Sequence, residues 1–203
     1  KRLAFIEIVR HPLYMLRQET LNMEHLFLSD PRHLEIYYTY KNNNLPYFVF
    51  GWEDLYLKSN SVERAIYLIE DMTKRTEAFK KRLDKNILRE QIITIPFECF
   101  VINPWPYLER IECLLGAKVT SITRKMMRRQ KVPRKMYADG AGLKIYKRYG
   151  WEPPKSSSES AEFEIRRRFA AQRASKEAMD VLDRLSREYE EKYLRSRGVL
   201  HEK

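Results

Sequence analysis

The chain has 203 residues, 39 lysines and arginines against 28 aspartates and glutamates, a formal charge of +11 and a pI near 9.6. Hydrophobic residues make up 43% and aromatics 12%, which excludes a disordered polyelectrolyte and fits a single folded unit with a sizeable core. No run approaches the roughly 20 apolar residues of a membrane-spanning helix, no secretory signal pattern precedes Leu3, and the excess of cations points to an anionic partner.

The first segment, Leu3-Ala4-Phe5-Ile6-Glu7-Ile8-Val9, is apolar at six of its seven positions and runs into Arg10-His11-Pro12. It predicts a strand buried on both faces. Pro12, with fixed φ and no N–H, suits the first turn of a helix that Leu13, Leu16 and Thr20 continue to about residue 26, where Ser29-Asp30-Pro31 supplies turn chemistry. Arg10 and a helix N-terminus are thereby aimed at one place, the usual ligand crevice of an open α/β sheet, and free N–H groups there favour an anion such as phosphate.

Ile8-Val9-Arg10-His11-Pro12 resembles the strand-to-helix junction with which sulfotransferases hold the 3′-phosphate of 3′-phosphoadenosine 5′-phosphosulfate. The family pattern has a serine eight residues after the arginine as a second phosphate ligand, and this chain has Gln18 there. The resemblance implies an α/β fold with a P-loop-type parallel sheet flanked by helices. It also implies a nucleotide sulfate donor, and an acceptor that carries a hydroxyl or an amine.

Two β-prone aromatic runs, Glu35–Tyr40 and Tyr47–Phe50, flank Lys41-Asn42-Asn43-Asn44 and predict a hairpin inserted in the fold. Its rings suit either an acceptor pocket or packing beneath the hairpin. Asn60-Ser61-Val62-Glu63 has the spacing of a capping box, and Ile66, Ile69, Met72, Thr76, Phe79 and Leu83 extend an apolar stripe, predicting a helix from about 61 to 85. Its charged face reads as a solvated surface.

Gln91–Pro96 predicts a second strand, and Phe97–Val101 leads to Asn103-Pro104, a cap and first-turn proline for a helix that Gly116 closes. Phe97-Glu98 and the following Asn103–Gly116 resemble the strand, acidic residue and Pro-initiated helix ending in Leu-Gly near the C-terminal edge of the sulfotransferase sheet. Residues 124–148 hold ten cations and one acid, Asp139, among Pro133, Gly140 and Gly142. This predicts a basic loop able to wrap a ligand. It resembles the loop that closes over the nucleotide in the bacterial branch of the family, which makes Arg128, Arg134 and Lys135 further phosphate or sulfate contacts beside Arg10 and Gln18. A polar connection at 155–160 precedes one or two helices to about residue 194, and Tyr189-Glu190-Glu191-Lys192-Tyr193 resembles the acidic, tyrosine-containing turn that ends many bacterial sulfotransferases. Residues 1–155 thus read as the C-terminal portion of a sulfotransferase-like domain and 156–203 as its helical extension.

There is no G-x-x-x-x-G-K, and only six glycines are present in total. The chain opens at Lys1 immediately before a strand, so the resemblance implies that the phosphosulfate loop and the catalytic base lie upstream. No catalytic residue is assigned within the chain: His11 belongs to the junction, His25, His33 and His201 have no acidic orienting partner, and Glu7 sits within a strand. Cys99 and Cys113 lack metal-ligand spacing and read as buried thiols of a reducing, cytoplasmic setting. Two competing readings remain open, a basic nucleic-acid-binding domain and a non-catalytic P-loop-like interaction module.

Overall fold

The fold, known from a computed structural model, is described for residues 4–26, 36–137, 147–150, 152 and 158–194. The turn at 29–31, His33, the glycines at 140 and 142, the boundary at 155/156 and His201 lie outside the described residues.

β1 (Phe5–Val9) passes directly into α1 (Pro12–Leu21), which continues as a wider π turn over Asn22–Leu26. Pro12 occupies the first turn as expected, and the ring of His11 caps the helix, its Nδ1 accepting the N–H of Leu13 at 3.2 Å. The hairpin follows as β2 (Tyr37–Tyr40) and β3 (Asn43–Pro46), with Tyr37 opposite Pro46 and Tyr40 opposite Asn43. Here the register differs from the expectation. Lys41 and Asn42 both take positive φ (46° and 62°), so two residues suffice for the turn and pairing begins at Asn43. Tyr47–Val49 is then a 3₁₀ turn, not a strand.

After α2 (Glu53–Lys58), the capping box at Asn60 forms in both directions and starts α3 (Ser61–Arg82). α4 (Lys85–Gln91) leads into β4 (Ile92–Pro96), which pairs in parallel with β1, Phe5 opposite Ile92 and Val9 opposite Pro96. Phe97–Val101, expected as a lead-in, is itself helical within α5 (Phe97–Ile102). The cap of α6 (Trp105–Leu115) is Pro104 rather than Asn103, with Pro106 in its first turn, and Gly116 closes it at φ 63°, a left-handed conformation that favours glycine. α7 (Ser121–Arg129) covers the start of the basic segment, and residues 130–137 after it are a loop. α8 (Glu159–Ala171) and α9 (Lys176–Tyr189) end the described chain, with a π turn over Glu190–Leu194.

The architecture is therefore α/β. Among the described residues the parallel sheet has two strands, β1 and β4, and helices supply most of the core. Leu13 and Leu16 of α1, Val62 and Ile66 of α3, Leu45 of the hairpin and Leu182 of α9 form the largest apolar cluster. Thus the C-terminal helices share one core with the first half of the chain. A second cluster joins Ile93 and Ile95 of β4 to Cys99, Tyr107, Tyr189 and Leu194. Tyr38 and Tyr40 lean on the main core and donate their hydroxyls to Glu53 (3.0 Å) and Asp54 (3.1 Å), which accounts for the aromatic hairpin by packing.

Three expectations of burial fail. β1 is not covered on both faces: Phe5, Ile6 and Ile8 are 49%, 43% and 66% exposed. The apolar stripe of α3 is buried at Ile66 and Ile69, whereas Met72 and Phe79 are exposed. Cys113 is also exposed, and only Cys99 is a buried thiol. No helix is long and apolar enough to cross a membrane among the described residues. Since Ile66 is fully enclosed and Met72 is not, Ile66→Ala is expected to cost about 2–5 kcal/mol of stability in urea denaturation, and Met72→Ala less than about 1 kcal/mol.

Candidate functional site: the β1–α1 junction

Arg10, Gln18 and the start of α1 meet where β1 ends. Arg10 leaves the strand end and donates from Nη1 to Oε1 of Gln18 at 2.8 Å, so the residue that stands where the family pattern has serine is an orienting partner of the arginine. The guanidinium lies over the ring of Phe97, 4.8 Å from its centroid, and the guanidinium of Arg134 shares that ring at 5.7 Å. Arg10, Gln18 and Arg134 are thus brought together. Arg128 and Lys135 are exposed, and no hydrogen bond or ion pair joins them to Arg10 or Gln18 among the described residues.

Arg134 also builds its own loop. Its Nε, Nη1 and Nη2 donate to the carbonyls of Lys131 (3.1 Å), Tyr137 (3.0 Å) and Gln130 (3.2 Å), and its main-chain N–H donates to the carbonyl of Val101 at 2.7 Å. The loop at 130–137 is thereby wrapped around one arginine and fastened to the end of α5. Glu159 at the start of α8 holds it from the other side, accepting the N–H of Tyr137 and the hydroxyl of Tyr14, each at 2.7 Å.

At the centre is the acidic residue that follows β4. Glu98 is completely buried; it accepts the main-chain N–H of His11 at 3.2 Å on Oε1 and the hydroxyl of Tyr189 at 2.5 Å on Oε2, with Nε of Arg10 at 3.8 Å. A carboxylate of the protein therefore already sits at the N-terminus of α1, where free N–H groups had been expected. Leu13 N–H is taken by the His11 ring, and Tyr14 N–H by the His11 carbonyl at 2.9 Å. What remains for an incoming anion is the outward side of Arg10, whose side chain is 27% exposed. Burial lowers the pKa of this arginine, Glu98 opposes that shift, and the nearby Arg166 adds to it. Arg166 is held in turn by the fully buried Glu162 at 2.7 Å and lies over the ring of Tyr14.

His11 is enclosed, with Nδ1 accepting from Leu13 and Nε2 facing Oε1 of Glu190 at 3.2 Å, an arrangement that suits the tautomer with the proton on Nε2. It has no lone pair left for a substrate. His25 stacks on Tyr149 with centroids 4.3 Å apart, and Glu7 is bound by Lys80 (2.7 Å) and Thr94 (2.5 Å). No group of three His, Cys, Asp or Glu side chains converges as a metal site among the described residues. Beside the junction a cavity of about 280 Å³ opens between β1, α1, α3 and α9, bordered by Val9, Arg10, Met15, Ile69, Leu185 and Tyr189. It is slightly below the usual range for small-ligand pockets, roughly 300–1,000 Å³.

No protein-family model matches this chain, and neither a curated protein nor a solved structure does so. What the site does chemically is therefore argued from its own geometry. Tyr189 and Glu190, the acidic tyrosine-containing turn, were visible in the sequence as a pattern, and the structure turns them onto Glu98 and His11. Arg166 and Glu159 carried no sequence signal that set them apart from other charged residues of the last two helices.

Removing the Tyr189 hydroxyl leaves one oxygen of a buried carboxylate without its donor. Tyr189→Phe is expected to cost about 1–3 kcal/mol in chemical denaturation. Burial first, then the Glu98 charge and hydrogen bond, push the Tyr189 phenol well above its ordinary range, and burial with the Glu159 hydrogen bond does the same to Tyr14. An unfolded tyrosine ionises near pH 10 and these folded ones later, so their stabilisation is complete below about pH 10 and is lost as pH rises beyond it. Stability measured across that range should fall less steeply in Tyr189→Phe than in the unaltered protein.

Proposed function

We propose that this chain forms the 3′-phosphate-binding part of a sulfotransferase, an enzyme that moves a sulfuryl group from 3′-phosphoadenosine 5′-phosphosulfate to a hydroxyl or amine acceptor. The observation that carries the reading is the oriented arginine at a strand-to-helix junction: Arg10, clamped by Gln18, shares the Phe97 ring with Arg134 at the root of a basic loop. The P-loop-type character of the sheet is part of the same proposal, supported by a parallel β1–β4 pair with helical connections.

Sulfuryl transfer resembles phosphoryl transfer in that the group is displaced in line and the protein mainly positions reactants and stabilises charge. In this reading Arg10 donates to the phosphate with the N–H groups that Gln18 and Glu98 do not engage. Gln18 fixes the plane of the guanidinium, so less freedom is lost on binding than with an unconstrained side chain. Arg134 adds positive charge over the same Phe97 ring and holds the loop that borders the site. The side cavity accommodates one ring-sized group rather than a whole nucleotide, which suits a base or part of an acceptor. Proton transfer is not assigned to His11, His25 or Glu7, each of which is committed to a structural contact.

Calorimetric titration with adenosine 3′,5′-bisphosphate at physiological salt tests this. Saturable one-to-one binding is expected, weakened about tenfold to a hundredfold in Arg10→Ala, the worth of a charged hydrogen bond, and about two- to tenfold in Gln18→Ala. No binding of the nucleotide, with oligonucleotide binding that survives Arg10→Ala, would replace the reading by a basic nucleic-acid-binding domain.

A further inference from the structure

None of the nine residues of α7 is buried. Its inward side is made by Thr123 and Met127, which are half-buried, and Met127 packs against the Tyr14, Val101, Val132 and Tyr137 cluster. The outward side combines two chemistries. Ile122 and Met126, one turn apart, are 71% and 47% exposed, and Lys125 and Arg129, one turn apart in solvent, run beside them; Arg124 and Arg128 are also in solvent but lie on the opposite flank of the helix. Trp105 of α6, itself 42% exposed, borders that opposite flank, with the Arg124 guanidinium 5.4 Å from its ring.

The surrounding sequence gives the face one sign of charge. From Ala117 to Ala138 there are eight lysines and arginines and no aspartate or glutamate. On the neighbouring stretch of α6, Glu112 is occupied by Lys118 (3.3 Å) and the N–H of Val119 (2.5 Å). Contact with nucleic-acid phosphates needs cations alone and makes no use of the paired Ile122 and Met126. An anionic bilayer surface asks for both. Cations clustered on and around such a helix attract acidic headgroups, while adjoining apolar side chains enter the boundary of the acyl layer.

We propose that α7 docks the protein on an anionic membrane surface, with Lys125 and Arg129 against lipid headgroups and Ile122 and Met126 in the interfacial layer. This does not depend on the sulfotransferase reading, because Lys125, Arg129, Ile122 and Met126 take no part in the junction around Arg10. The docked protein lies flat on the bilayer; it does not cross it.

Co-sedimentation of the protein with vesicles of phosphatidylcholine alone, and of phosphatidylcholine mixed with phosphatidylserine, tests the proposal. Binding is expected only to the mixed vesicles and should weaken with added salt. Lys125→Gln with Arg129→Gln should lower the partition coefficient about twenty-fivefold, two cations at about fivefold each. Ile122→Ser with Met126→Ser should lower it at least about tenfold at unchanged charge. All four positions are exposed, so circular dichroism should stay that of the unaltered protein. Equal binding to both vesicle types, or binding that neither pair of substitutions alters, would overturn the proposal. So would failure to bind either vesicle while a short duplex oligonucleotide binds equally well to the protein and its Ile122→Ser/Met126→Ser variant, since α7 would then be a nucleic-acid surface.

Discussion

The arrangement around Arg10 depends on one buried carboxylate. Glu98 lies at the start of α5, and its two oxygens reach the His11 main chain at the start of α1 and the Tyr189 hydroxyl at the end of α9. Three elements far apart in the chain are therefore fixed to a single side chain. A buried carboxylate without such donors would be strongly unfavourable, so the contacts form together or the site does not. Arg10 is the nearest cation, yet its Nε is 3.8 Å from Oε1 and makes no hydrogen bond. The arginine is thus held loosely by charge from within and firmly by Gln18 from the side, a balance that leaves part of its guanidinium available outward.

The same economy appears in the basic loop. Arg134 would read as a ligand-binding cation, but its donors close a ring of carbonyls from Gln130 to Tyr137. Its charge remains while much of its hydrogen-bonding capacity is internal. A cation of this kind shapes a potential and a surface more than it recognises a particular atom. Arg10 is the better candidate for direct recognition because it keeps unused N–H groups and is oriented by a neutral partner. The distinction separates the two arginines although both lie over the same aromatic ring.

Much of this was legible in the sequence where the signal is local. The proline after His11, the reciprocal cap at Asn60 and Glu63, and the left-handed Gly116 each specify a helix end through contacts within a few residues. The hairpin was legible as a pair of strands, but its register was not, because that rests on both Lys41 and Asn42 accepting positive φ. α7 was hidden by averaging: proline and glycine that follow it made the whole basic stretch read as loop, although its first nine residues contain neither. The Glu98 hub was hidden for a different reason. Its partners are 87 and 91 residues away, and no spacing rule connects them. Apolar patterning also reports only that a side chain prefers cover, which is why β1 and the second half of α3 read as buried.

β1 carries a consequence for the behaviour of the chain at high concentration. It pairs with β4 along one side, and among the described residues no strand lies along the other. The strand that organises the junction is thus also an edge, short and apolar, with Ile8 two-thirds in water. Such an edge is a template onto which further extended polypeptide can add, each addition satisfying main-chain groups and covering isoleucine at once. Sheet growth here would proceed one residue away from Arg10. Whatever comes to lie along β1 therefore borders the outward side of Arg10 as well, so that pairing along this edge and access to the junction are two readings of the same strand.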